Sequence, residues 1–202
     1  NNPTGTVLAP EKIKAFMESI PNKVIVVLDE AYTEYTTQTV NTIDWLDTYP
    51  NLVITRTFSK AYGLAGLRVG YSLSHFDVAN IINRIRQPFN VNSFALAAAT
   101  VALMDNDYIV KTKELNDAGM QQFKLGLSSL GIDFIPSKGN FICVNVATDA
   151  GRVFEALLQQ GVITRPIGSY GLPQHLRISI GQTSENERCL NALATTLELN
   201  YD

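Results

Sequence analysis

From residue 10 to 20 the apolar positions are Ile13, Phe16, Met17 and Ile20, one face of a helix whose first turn accommodates Pro10. The pattern then changes. After Lys23, residues 24–28 are an unbroken apolar, largely β-branched run, as expected of a strand buried on both faces, and the run ends at Asp29 and Glu30. Residues 51–57 form a second such strand, running into Ser59 and Lys60, and 70–73 reads as a third, short one. Helix between parallel strands implies a βαβ layout, and sheets of that kind bind ligands at the carboxyl ends of their strands. Asp29 and Lys60 both fall on that edge.

Further along, the grammar changes. Residues 92–104 and, after a break, 107–130 are helical in pattern, the second segment ending at Gly131. Residues 134–135 and 140–146 read as strands, 149–160 as a helix stopped by Gly161, and 162–165 and 176–180 as short strands. Ser184 and Glu187 have the spacing of a capping box opening a last helix, with Cys189, Leu190, Leu193, Ala194 and Leu197 inward. The chain therefore divides near residue 92 into part of a parallel-sheet domain, 1–92, and a linking helix with a smaller α+β domain, 93–202.

Composition narrows the classes. With 202 residues, 46% hydrophobic and 17% charged, the chain is too apolar to be disordered and long enough for a sizeable core. A balance of 16 Lys and Arg against 19 Asp and Glu leaves no basic excess for a nucleic-acid backbone. The longest apolar stretches, 24–28 and 94–104, fall short of the about 20 residues a membrane span needs, so no membrane partner is expected. Cys143 and Cys189 suit buried thiols in a reducing compartment, and with His75 and His175 far apart in sequence no metal site is expected. The chain opens on Asn1-Asn2-Pro3-Thr4-Gly5, with neither Met nor a signal-peptide pattern, and is expected to be the C-terminal part of something longer.

Several residues carry candidate chemistry. Lys60 stands in Thr57-Phe58-Ser59-Lys60-Ala61-Tyr62-Gly63-Leu64-Ala65-Gly66-Leu67-Arg68. Burial in such company makes an amine a nucleophile for a carbonyl, while the hydroxyls of Thr57 and Ser59 and the Arg68 guanidinium suit a phosphate. Taken alone, the lysine reads equally as an exposed loop residue. Asp29 at a strand end needs a donor or cationic partner, such as the protonated ring nitrogen of a heteroaromatic cofactor, and Tyr32 offers a phenol to the same ligand; a capping Asp and a packed Tyr fit as well. Asn2 is a ligand amide or simply part of a turn. Arg177 alternates with Leu176 and Ile178 in a strand with no acidic neighbour, which suggests an anion receptor or an interdomain salt bridge, and Arg165 adds a second guanidinium. A nicotinamide-dependent oxidoreductase would share the βαβ grammar, but G-x-G-x-x-G is absent.

The order and spacing of these motifs are more specific than any one of them. Asn-Pro-Thr-Gly, a strand ending Asp-Glu-Ala-Tyr, Ser-Lys with Arg68 beyond it, and Leu-Arg-Ile-Ser resemble the fold-type I aminotransferases that use pyridoxal 5'-phosphate, along the whole chain. The run from Thr57 to Tyr71, Pro88-Phe89-Asn90-Val91-Asn92-Ser93, Arg165-Pro166, Tyr170-Gly171-Leu172-Pro173 and Leu176-Arg177 resemble the histidinol-phosphate aminotransferase group. The resemblance implies an α/β fold: the C-terminal half of a large domain with a mostly parallel sheet and flanking helices, then a small α+β domain. It implies that Lys60 joins the cofactor aldehyde and later moves the proton at the substrate carbon. Asp29 would keep the pyridine nitrogen protonated, Asn2 and Tyr32 would bind the ring oxygen, and Thr57, Ser59 and Arg68 would hold the phosphate. Arg177 matches the arginine that grips the substrate carboxylate and Arg165 lies near one that helps hold the substrate phosphate, with the division of the two anions between them left open. The implied substrates are histidinol phosphate with glutamate and 2-oxoglutarate, in a cytoplasmic homodimer of histidine biosynthesis. Related pyridoxal-phosphate enzymes, a threonine-phosphate decarboxylase or an aromatic-amino-acid aminotransferase, share the layout, and a non-catalytic C-terminal fragment is the remaining alternative. The family's front segment supplies a phosphate loop, a ring-stacking aromatic and a tyrosine lent to the partner subunit, so the 202 residues are expected to be inactive alone.

Overall fold

The computed structural model describes residues 1–37 and 40–198, the side chain of residue 198 excepted. Two compact units emerge: Leu8–Lys111, and Asn1–Val7 together with Thr112–Asp202. The units do not part at residue 92. The helix that follows it belongs to the first unit, because Ala95 and Ala99 are buried against Phe58 and Val69.

The first unit holds α1 (Pro10–Ser19), then a three-stranded sheet of β1 (Val26–Asp29), β2 (Leu52–Thr57) and β3 (Gly70–Ser74), then α2 (Phe76–Ile85) and α3 (Ser93–Ala102). Strand β1 is parallel to β2, whereas β3 is antiparallel to it. Between β1 and β2 the described chain forms 3₁₀ turns at Thr33–Tyr35 and Thr42–Trp45 in place of a crossover helix. Burial on both faces, expected of the first two strands, holds only for β2. Leu52 and Ile54 pack with Met17 of α1, and Val53 is buried on the reverse face. In β1, Leu28 joins that cluster but Val27 is 59% exposed, because α1 covers one face only. Helix α2, absent from the sequence expectations, starts where His75 Nδ1 accepts from the Asp77 N–H at 3.4 Å, and none of its residues is buried.

The second unit is built from α4 (Asn106–Ser129) from Thr112 onward, β4 (Phe134–Ile135), β5 (Phe141–Asn145), α5 (Ala150–Gln159), β6 (Arg165–Ile167), β7 (Leu172–Ser179) and α6 (Thr183–Glu198). Its sheet runs β4-β5-β7-β6, every pairing antiparallel. One core joins sheet and helices: Phe123 and Leu127 of α4, Ile142 and Val144 of β5, Val153 and Leu157 of α5, Leu176 and Ile178 of β7, and Cys189 and Leu193 of α6. Both cysteines are free and buried, and loss of solvent pushes each thiol up to about 11.

Two local expectations shift. The strand expected over 162–165 meets β6 only at Arg165. Gly161 adopts φ +74°, and the Gly161 and Val162 amides bond back to Leu158 and Leu157, so those residues close α5 instead of extending a strand. At α6 the carboxylate that reaches back is Glu185, which accepts from the Gln182 N–H at 2.7 Å, so the cap sits ahead of the expected Ser184–Glu187 pair. Among the described residues no helix is long and apolar enough to cross a membrane.

Candidate active site

In the three-stranded unit the sheet delivers the predicted residues in register. Asp29, last in β1, lies opposite Thr55 of β2. Strand alternation therefore places Asp29, Thr55 and Thr57 on one face and Arg56 on the other. Asp29 is exposed, and its Oδ1 accepts from the Ala31 N–H at 3.0 Å, which fixes the carboxylate at the start of the turn after β1. Tyr32 follows in that turn, and the Lys60 amine lies 5.4 Å from its ring centroid, a cation–π distance. Lys60 is half-buried, not fully buried as the sequence suggested.

The three residues expected at a phosphate are brought together. Thr57 Oγ1 accepts from the Ser59 N–H at 3.1 Å, tightening the turn that leads to Lys60. Arg68 donates from Nη1 to Ser59 Oγ at 3.3 Å and to the Ala65 carbonyl at 2.8 Å. Its backbone takes φ 53°, a left-handed value that only an over-determined loop holds for a non-glycine residue. The loop is anchored from below by Phe58, whose ring packs 4.9 Å from that of Tyr62 and 5.6 Å from that of Tyr71. Among the described residues, Arg68 has no carboxylate partner.

Asn2, Arg165 and Arg177 lie in the four-stranded unit. Arg165 of β6 and Arg177 of β7 are directly opposite in register, hence on one face of the sheet. Like charges in that relation repel, and among the described residues neither guanidinium has a carboxylate partner. Arg177 donates from Nη1 to Asn2 Oδ1 at 2.7 Å and lies 5.2 Å from the Phe141 ring centroid, while its Nε is buried without a partner. Arg165 is exposed and donates to the Tyr170 hydroxyl at 3.3 Å. The N-terminal turn that carries Asn2 is pinned by the Lys138 N–H, which donates to the Gly5 carbonyl at 2.9 Å.

One polar group escaped sequence reasoning. Glu30, beside Asp29, is buried and accepts from Arg56 through Nε at 2.9 Å and Nη2 at 2.8 Å, and also from the Thr42 hydroxyl. An arginine inside a strand, flanked by threonines, was the available signal. Burial opposes the charge of Arg56, and the Glu30 carboxylate together with the Tyr71 hydroxyl more than restores it, so its pKa rises. Glu34 nearby is raised by burial, and its Oε2 has no partner.

The family described as aminotransferase class I and II matches residues 1–193. The chain belongs to that family. Histidinol-phosphate aminotransferase 2 of Pseudomonas fluorescens (strain Pf0-1) is 54% identical over 199 residues, covering 98% of this chain and 54% of that protein. The chain thus spans about half the length of the curated relatives it matches. The solved histidinol-phosphate aminotransferase of Sinorhizobium meliloti, in complex with pyridoxal-5'-phosphate, superposes with a TM-score of 0.91 at 32% identity, over 98% of this chain and 56% of that one. L-threonine-O-3-phosphate decarboxylase of Porphyromonas gingivalis gives 0.88 at 27% identity, over 98% and 62%. The α/β fold anticipated from the motifs is the fold of this aminotransferase family.

Proposed function

We propose that the native-length protein carrying this chain transfers the amino group between histidinol phosphate and glutamate or 2-oxoglutarate, using pyridoxal 5'-phosphate. The observation that carries this reading is the Arg165–Arg177 pair, two guanidiniums opposed in register with no carboxylate partner among the described residues, which suits a receptor for dianionic substrates. The names of the relatives support it.

The donor set in the three-stranded unit suits that cofactor: the primary amine of Lys60, the carboxylate of Asp29, and the hydroxyls of Thr57 and Ser59 with the Arg68 guanidinium. When bound, the cofactor supplies an aldehyde and a ring that withdraws electrons from the substrate carbon. Lys60 Nζ would hold the cofactor through its aldehyde and would move the proton at the substrate Cα. Asp29 would hold a proton on the ring nitrogen, Tyr32 and Asn2 would donate to the ring oxygen, and Thr57, Ser59 and Arg68 would bind the phosphate. Arg177 orients the substrate carboxylate and Arg165 the substrate phosphate. The same reading makes the protein a cytoplasmic homodimer of histidine biosynthesis. The exposed apolar side chains of α2 and α3, Phe76, Ile85 and Phe94 among them, offer a surface for such an assembly.

The test is product analysis. The native-length protein with histidinol phosphate and 2-oxoglutarate is expected to form glutamate, and Lys60→Ala to abolish turnover. Arg165→Ala is expected to raise the KM for histidinol phosphate more than that for glutamate. The similarity to the threonine-phosphate decarboxylase favours one other outcome: release of carbon dioxide from threonine phosphate without amino transfer would replace this reading.

A further inference from the structure

We infer that Glu30 and Arg56 are positioning residues, a strut between β1 and β2 that fixes the separation of Asp29 and Thr57. The inference rests on the cofactor reading given under Proposed function. Glu30 is joined by one peptide bond to Asp29, and Arg56 by one peptide bond to Thr57. The pair lies on the sheet face opposite the two site residues. Arg56 closes on Oε2 of Glu30 with both Nε and Nη2, at 2.9 and 2.8 Å, and the Thr42 hydroxyl occupies Oε1. The Glu30 amide is itself bonded to the Thr55 carbonyl at 2.9 Å, so backbone and side chain both lock this point of β1 to β2.

Glu30 is buried and Arg56 half-buried, and an ion pair drawn out of water is a poor source of net stability, because desolvation offsets much of the attraction. Its use here is geometric. The ring nitrogen and the phosphate would be two separate attachment points of one bound ligand. Asp29 and Thr57, assigned to those two points, would bind one ligand together best at a fixed spacing. The two strands alone would let that spacing breathe; the strut removes the freedom from behind, without itself touching the ligand.

The experiment compares native-length wild type with Glu30→Gln, Arg56→Lys and the milder Thr42→Val. Dissociation constants are measured for pyridoxal phosphate and for pyridoxal, which lacks the phosphate. The strut predicts a loss of about tenfold for pyridoxal phosphate in the first two variants and a loss of under about threefold for pyridoxal, which engages one point only. Ligand-free hydrogen exchange is measured at the Ala31 and Ser59 amides, which donate to Asp29 Oδ1 and Thr57 Oγ1. Both are expected to exchange faster together in every variant that folds, Thr42→Val least, while amides of β5 stay unchanged. Equal losses for the two ligands, or unaltered exchange at Ala31 and Ser59, overturn the strut. A wild type that binds neither ligand overturns the cofactor reading instead, and the exchange measurement still decides the strut.

Discussion

Replacing Arg177 with methionine separates a binding role from a structural one, because its structural gains and losses nearly cancel. The losses are the 2.7 Å bond to Asn2 Oδ1 and the contact with the Phe141 ring. A hydrogen bond to a charged group is worth about 1.5–3 kcal/mol and an exposed cation–π contact about 0.5–1 kcal/mol. The gains are release of the opposed Arg165 charge, about 0.2–1 kcal/mol, and removal of the buried, unpartnered Nε, about 1–3 kcal/mol. Arg177→Met should therefore change stability by no more than about 1–2 kcal/mol, a shift in Tm of a few degrees for a protein of this size. Anion binding has no such compensation. Loss of a charge-assisted contact of about 1.5–3 kcal/mol weakens a dicarboxylate by about 10- to 150-fold. Calorimetric titration of the native-length protein with glutarate, beside a melting curve of each form, measures both quantities. A variant that loses several kcal/mol of stability yet binds glutarate as the wild type does would refute the assignment of Arg177 to the anion.

Two further perturbations test the framework around the site. Burial raises the Glu34 pKa above its ordinary value, so the folded state holds its proton to higher pH than the unfolded chain does. The stability it contributes is complete below the unfolded pKa and is lost as pH rises through the folded one. Glu34→Gln should then stabilise the protein at pH 7 and flatten the fall in stability above about pH 4.5, the ordinary value, which melting curves across pH will read. In the four-stranded unit Phe123 is fully buried among α4, α5 and α6, and Phe123→Ala should cost about 3–5 kcal/mol in urea unfolding. A cost below about 1 kcal/mol would mean that the helices collapse into the vacated space.

Periodicity made most of the fold legible. Helices α4 and α5 and strands β2 and β5 carry apolar spacing in the sequence that matches their burial in the structure, whereas in α3 the small Ala95 and Ala99 are buried and Phe94, Leu96 and Val101 are exposed. Helix α2 was missed although Phe76, Ile81, Ile82 and Ile85 stand at near-helical spacing, and none of its residues is buried. The tail of α5 misled for a different reason: Val162 is apolar and β-branched, yet its amide is committed to closing a helix. Site residues were legible where a motif is contiguous, as from Thr57 to Arg68. The facing of Arg165 and Arg177 depends on the pairing of β6 with β7, which lies outside any local pattern. The Glu30–Arg56 pair was hidden for the same reason, since only sheet register brings residues so far apart in sequence into contact.

The division into two units places unlike optical and chemical handles on either side. The single tryptophan, Trp45, lies in Leu8–Lys111, and both thiols lie in the other unit. Both thiols are buried, and that burial pushes each up to about 11, so a disulfide reagent reaches them only when their surroundings open. Indole fluorescence and thiol capture therefore follow separate halves of one polypeptide, and a denaturant at which the two signals part company gives the cooperativity between the halves without a label or a mutation.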